Sequence, residues 1–116
     1  MKITRIYTGK DEESHFEELD LPTRLVEGIE ATAAEPAAGV YFRRARAGHV
    51  QDWHPAPRRQ YVITLSGQSE IEIGDGTKRR FGPGDIFLAD DTTGRGHITR
   101  AVGAEPRLYV TIPLKE

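Results

Sequence analysis

Cysteine is absent from the 116 residues of this chain. That removes disulfides, thiolate-ligated zinc, iron–sulfur clusters and cysteine nucleophiles together, so any metal must be held by His, carboxylate or amide groups. Long apolar runs are missing as well, and none approaches the roughly 18 to 20 residues a membrane span needs. The opening Met1–Gly9 stretch alternates and forms no apolar signal segment. The expectation is therefore no export, no membrane partner and a cytoplasmic location. No segment sustains a 3.6-residue period, and there is no internal repeat. Charge of one sign is not in excess: 16 Lys and Arg against 18 Asp and Glu leave a formal net charge of −2. A general nucleic-acid binder would carry a strong positive balance, so nucleic acid is not an expected partner.

What is present points to short strands. Twelve glycines and seven prolines punctuate the chain, at the roughly 8 to 12 residue spacing of an all-β sandwich or barrel. Residues 1–116 suffice for one domain with one core. Ile3 to Tyr7 reads as a first strand, Lys10 to Glu18 as a polar loop or a turn of helix, Leu19 to Leu25 as an edge segment, and Glu30 to Gly39 as a surface connection. These form an N-terminal strand and arm over residues 1–39. Residues 40–116 supply the barrel core: strands at Val40–Ala47, Gln60–Leu65, Ser69–Ile73, Lys78–Phe81, Ile86–Ala89, His97–Val102 and Leu108–Leu114. Gly74-Asp75-Gly76 is a hairpin signal between two of them. Alternation puts Gln60, Val62 and Thr64 on one strand face, and Tyr61, Ile63 and Leu65 on the other. The second set is too apolar for water and must meet a sheet layer, the arm or another subunit, which favours a homodimer.

The run Gly48-HVQDW-His54-P-Ala56-PRR-Gln60-YVITLS-Gly67 resembles the first motif of the cupin family. That motif is a glycine, five residues, His-x-His, three or four residues, Glu, six residues and a glycine, and every spacing fits. Gly84-Asp85-I-Phe87 and Gly94-R-Gly96-His97 resemble the opening and close of the second motif, about two residues further apart than usual. Thr92 replaces the usual proline and Ala101 the usual asparagine. Sixteen residues separate Gly67 from Gly84, as the family expects. The resemblance covers about Val40 to Leu114 and implies a double-stranded β-helix, or jelly-roll barrel, of the kind found in short uncharacterised cupins.

Carried over residue by residue, the resemblance makes His54, Gln60 and His97 the metal ligands. Ala56 stands at the position of the second His, and Gln60 at that of the Glu. Imidazole and amide donors suit zinc, manganese, iron or nickel, and three protein ligands with open positions are the pattern of a catalytic site. No organic cofactor is expected. The competing reading leaves His54, Gln60 and His97 as a hydrogen-bonded polar network without metal. Asp52, His49, Asp90, Asp91 and His15 are further donors, each expected to be solvated or peripheral, and Trp53 is expected to pack on the outer face. Arg58 and Arg59, beside Gln60, are the candidate substrate clamp, since guanidinium matches a carboxylate in a two-pronged geometry. Their alternative is an ion pair to Asp85, Asp90 or Asp91. Loss of the ligand carboxylate disfavours a dioxygenase and favours Lewis-acid chemistry. Cupins with a glutamine ligand include a sugar-linearising enzyme of pectin breakdown and a manganese hydroxynitrile lyase, both of which keep the second His. The leading expectation is a metal-dependent lyase or isomerase acting on a small anionic hydroxy or keto compound. The alternative is a non-catalytic binding or sensing cupin.

Overall fold

A computed structural model describes residues 1–116 and contains strands without a helix, so no helix is long and apolar enough to cross a membrane. The first half holds β1 (Lys2–Thr8), β2 (Ser14–Asp20), β3 (Thr23–Val26), β4 (Ile29–Thr32), β5 (Tyr41–Ala45) and β6 (Val50–His54). The second holds β7 (Gln60–Ser66), β8 (Gln68–Glu72), β9 (Lys78–Phe81), β10 (Ile86–Asp90), β11 (His97–Val102) and β12 (Arg107–Pro113). A six-stranded sheet in the order β2-β1-β10-β7-β12-β5 faces a four-stranded sheet in the order β6-β11-β8-β9. This is the all-β double-stranded β-helix expected from the sequence.

The core lies between the sheets. Ile6, Val62, Ile71, Phe81, Phe87, Ala89 and Ala56 form one buried cluster. Strand β10 lies between β1 and β7, and Phe87, Leu88 and Ala89 are all buried. A strand covered on both faces has no polar side to alternate with, which is why its sequence is a continuous apolar run. Strand β8 alternates as expected: Ile71 is buried in the core, while Glu70 and Glu72 lie across from Arg80 and Lys78 on β9. The β8–β9 turn closes at Asp75, whose Oδ1 accepts the Thr77 N–H at 2.8 Å.

Two N-terminal segments differ from expectation. Lys10 to Glu18 is largely not loop, because β2 pairs along its whole length with β1. Its charged residues mark an edge strand, where side chains such as Glu17 and Glu18 discourage pairing with another chain. They engage Arg5 and Lys2 on the neighbouring strand. The Leu19–Leu25 edge segment and the start of the surface connection contain a hairpin of β3 and β4. Beyond it, residues 33–37 cover the outer face of β7. There Tyr61 and Ile63 line an apolar groove with Ala33, Ala34 and Ile112, and the Tyr61 hydroxyl donates to Glu35 Oε1 at 2.6 Å. Burial first, then Glu35, pushes that phenol up to about 12.

Ile71 is fully buried in the inter-sheet cluster, so Ile71→Ala is expected to cost about 2–5 kcal/mol. Urea unfolding followed by the single tryptophan would measure it, with a change below about 1 kcal/mol contradicting this core assignment.

Candidate functional site

The strand ladder delivers the histidines to one place. His54 at the end of β6 pairs directly with His97 at the start of β11, and their ring centroids are 4.6 Å apart. The approach depends on Gly96, which has a positive φ. A Cβ there would collide with the His54 carbonyl, so only glycine lets the two strands close at this point. One step further the register shifts: Thr99 pairs with Gln51. Asp52 and Trp53 on β6 thus oppose the single Ile98 on β11, a bulge that breaks strand alternation. The bulge turns both Gln51 and His54 toward the space between the sheets.

That space is a cavity of about 160 Å³. The four-stranded sheet contributes Gln51, His54, His97 and Thr99 to its wall, and the six-stranded sheet contributes Gln60, Val62, Phe87 and Ala89. Arg107, Tyr109 and Thr111 of β12, with Arg43 of β5, complete that second wall. A larger hollow of about 540 Å³ beside β1 and β9 contains no histidine. His54, Gln60 and His97 therefore share one cavity, with Ala56 buried in its lining.

Each imidazole is oriented from behind. His97 Nδ1 lies 2.6 Å from Asp91 Oδ2, and the same oxygen accepts the Ser14 hydroxyl at 2.6 Å. Asp91 is completely buried, contrary to the expectation of a solvated loop residue, because the segment after β10 turns its carboxylate inward. His54 Nδ1 donates to the Asp52 carbonyl at 2.6 Å. With both Nδ1 atoms engaged, Nε2 is the ring nitrogen left for the cavity. This is the usual arrangement of metal-ligating histidines, whose other nitrogen is held by a carboxylate or backbone carbonyl. Burial, opposed by the Asp52 carbonyl and helped by His97, lowers the His54 pKa from its ordinary value. The shift favours the neutral imidazole, the form a ligand must have. No three His, Asp or Glu side chains are placed to hold a metal ion, so the further donors the cavity offers are amides, Gln60 at the position the resemblance assigns and Gln51 on the facing wall. Two imidazoles and an amide oxygen fit a divalent cation of the zinc, manganese, iron or nickel type.

Arg58 and Arg59 do not line the cavity. The bend of residues 57–59 carries the half-buried Arg59 to Asp90, with Nε 3.6 Å from Oδ1, in the ion-pair alternative. Arg5 holds the other Asp90 oxygen at 2.8 Å. Asp52 and His49 are exposed, and His15 pairs with Asp11. Trp53 is half-buried beneath the Arg95 guanidinium, 4.1 Å from its ring centroid. The arginines that reach the cavity are Arg43 and Arg107. Arg107 is only 4% exposed, and its guanidinium carbon lies 3.6 Å from the Tyr109 ring centroid. Burial pushes its pKa down. The signal for it is the alternation of β12, where Arg107, Tyr109 and Thr111 interleave with Leu108, Val110 and Ile112.

Solved structures share this architecture. A protein with a double-stranded β-helix domain from Klebsiella pneumoniae is 26% identical with a TM-score of 0.53, over 77% of this chain and 79% of that one. KdgF from Halomonas sp. is 27% identical with a TM-score of 0.52, over 82% and 88%. A cupin domain from Bordetella pertussis is 19% identical with a TM-score of 0.53, over 66% and 80%. No protein-family model and no curated protein matches the sequence.

Because the folded pKa of His54 lies below the unfolded value near 6.5, the unfolded chain takes up its proton first as pH falls. The stability tied to neutral His54, beside His97 and Asp91, is complete above about pH 6.5 and is lost as pH falls toward the folded value. Urea unfolding of metal-free protein between pH 7.5 and 5 should show that loss, and His54→Gln should flatten it. Equal slopes in the two proteins would contradict the burial of this imidazole.

Proposed function

We propose that this chain, a short protein of the cupin superfamily, is a metal-dependent lyase or isomerase acting on small hydroxy or keto acids. The observation that carries the reading is the pair of imidazoles facing one cavity, each anchored through Nδ1, by Asp91 in one case and the Asp52 carbonyl in the other. Positions held from behind, by buried Asp91 for His97 and by the Asp52 carbonyl for His54, favour a ligand role for both, and Gln60 supplies an amide oxygen beside them. A divalent cation bound there would polarise a carbonyl or hydroxyl of the substrate. Asp91, itself braced by Ser14, keeps the His97 ring in one orientation. Val62, Phe87 and Ala89 form an apolar wall that limits water around the reacting group. The neutral amide in place of a carboxylate leaves the site without the negative charge that supports oxidised iron, which favours Lewis-acid over oxygenase chemistry.

A binding or sensing protein without metal is the second reading. Its support is Ala56, which brings no donor to the cavity lining. Metal analysis of protein purified without chelators or nickel columns separates the two. Close to one equivalent after supply of zinc, manganese, iron or nickel is expected, with loss in His97→Ala. Asp91→Asn should weaken uptake by about 10–100-fold, and Ala56→His should strengthen it. Protein that stays metal-free with every ion supplied would leave only the second reading.

A homodimer in the cytoplasm belongs to the same proposal. Leu25, Val26 and Ile29 on the β3–β4 hairpin are exposed, and an isolated two-stranded hairpin is marginally stable in water. A second copy would cover these side chains. Light scattering should give twice the chain mass, and Leu25→Asp with Ile29→Asp should return it to the monomer value. A monomeric wild type would sink this part.

A further inference from the structure

We infer that Arg107, assisted by Arg43, is the receptor for the carboxylate of the bound acid, on the cavity wall opposite the imidazoles. Arg107 is among the most buried polar residues of the chain, yet no carboxylate pairs with it and its Nε has no hydrogen-bond partner. Buried guanidinium groups are normally paired, because leaving the charge uncompensated away from water is unfavourable. Here the tyrosine face of Tyr109 holds the planar group at 3.6 Å and leaves its two-pronged edge free. Arg43 stands across the β12–β5 ladder, paired with Tyr109, and its Nε donates to Thr111 Oγ1 at 3.2 Å. That bond fixes the second guanidinium while leaving its terminal nitrogens free.

The surroundings make the missing partner an anion. None of the residues lining the cavity is an Asp or Glu. The adjoining groove, formed by Arg43, Arg44, Arg46, His49, Ala45 and Tyr109, has none either. Positive groups with no fixed counter-charge raise the local concentration of small anions. A guanidinium offers a carboxylate two parallel N–H donors, a match an ammonium lacks. A cavity of about 160 Å³ is below the roughly 300 Å³ at which ordinary ligand pockets begin, so the ligand is a small acid and not a nucleotide. Imidazoles on one wall and guanidiniums on the other set its pattern: a carboxylate at one end and a hydroxyl or carbonyl oxygen at the other. The assignment of the oxygen end rests on the proposed function above; the carboxylate end does not.

Calorimetric titration of the chelator-stripped full chain with sodium malonate, and with malonamide as the uncharged control, tests this. Wild type is expected to bind malonate in preference to malonamide. Arg107→Gln should weaken malonate by about tenfold or more, Arg43→Gln by less, and Arg80→Gln, on the distant β9, not at all. Without ligand, Arg107→Met should unfold at the wild-type temperature or above, since it removes an unpaired buried charge. A merely structural arginine would instead lower that temperature and leave malonate affinity unchanged. Should Arg107→Gln fail to fold, Arg107→Lys keeps the charge without the fork and should bind malonate more weakly than wild type. Malonate affinity indifferent to both changes, or wild type that does not separate malonate from malonamide, overturns the inference. Metal content of the same Arg107→Gln preparation separates the two proposals: normal metal with Arg107-independent malonate sinks only this one. Arg107-dependent malonate in a protein that never takes up metal sinks only the other.

Discussion

A carboxylate without access to water must find its partners inside the fold, and Asp91 finds them for one oxygen only, Oδ1 remaining unpaired. One of its oxygens is shared by the Ser14 hydroxyl and His97 Nδ1, while its backbone carbonyl accepts the Ala56 N–H at 2.9 Å. Removing one member of such a buried polar group strands the others, at a cost of several kcal/mol when a charge is involved. The N-terminal edge strand, the turn after β6 and the start of β11 are therefore held to one another at the point where the imidazoles meet. The geometry of the candidate metal site is in this sense a property of residues outside the cavity.

The cavity itself has two chemically different walls. The imidazoles of His54 and His97 lie on one side, and unneutralised guanidinium lies on the other at Arg43 and Arg107, with the Gln60 amide on that second wall. Neither feature helps the chain to fold. Arg107 carries a charge into the interior with only a tyrosine ring against it. Features that lower stability without packing benefit concentrate where binding or catalysis needs them.

The barrel was legible because its signals are local. Motif spacing, the Asp75-Gly76 turn and the alternation of β7 and β8 each depend on neighbours in sequence, and the strands from β7 to β12 fall where those neighbours place them, whereas β3, β4 and β6 were not read as strands. The grouping of His54, Gln60 and His97 in one cavity was implied by the cupin resemblance. Three further features were not legible, each for a physical reason. Strand β2 is charged because it lies at a sheet edge, and an edge strand reads like a loop. Asp91 reads as a solvated residue until Ser14, from a remote strand, is brought against it. Arg58 and Arg59 adjoin Gln60 in sequence, yet the bend at residues 57–59 takes them away from the cavity, and Arg107 arrives from the last strand instead.

One feature of the topology also governs when the site comes into being. Strand β1 pairs in parallel with β10, so the N-terminal segment docks on a strand some 80 residues away, and the Ser14–Asp91 bond spans 77 residues. Contacts of such long sequence separation form late and slowly, because the entropy of closing the loop is lost before any contact rewards it. A partly folded chain with the two motifs already paired would have its histidines adjacent but His97 unbraced. On the proposed function, competence to hold a ligand would then coincide with completion of the fold.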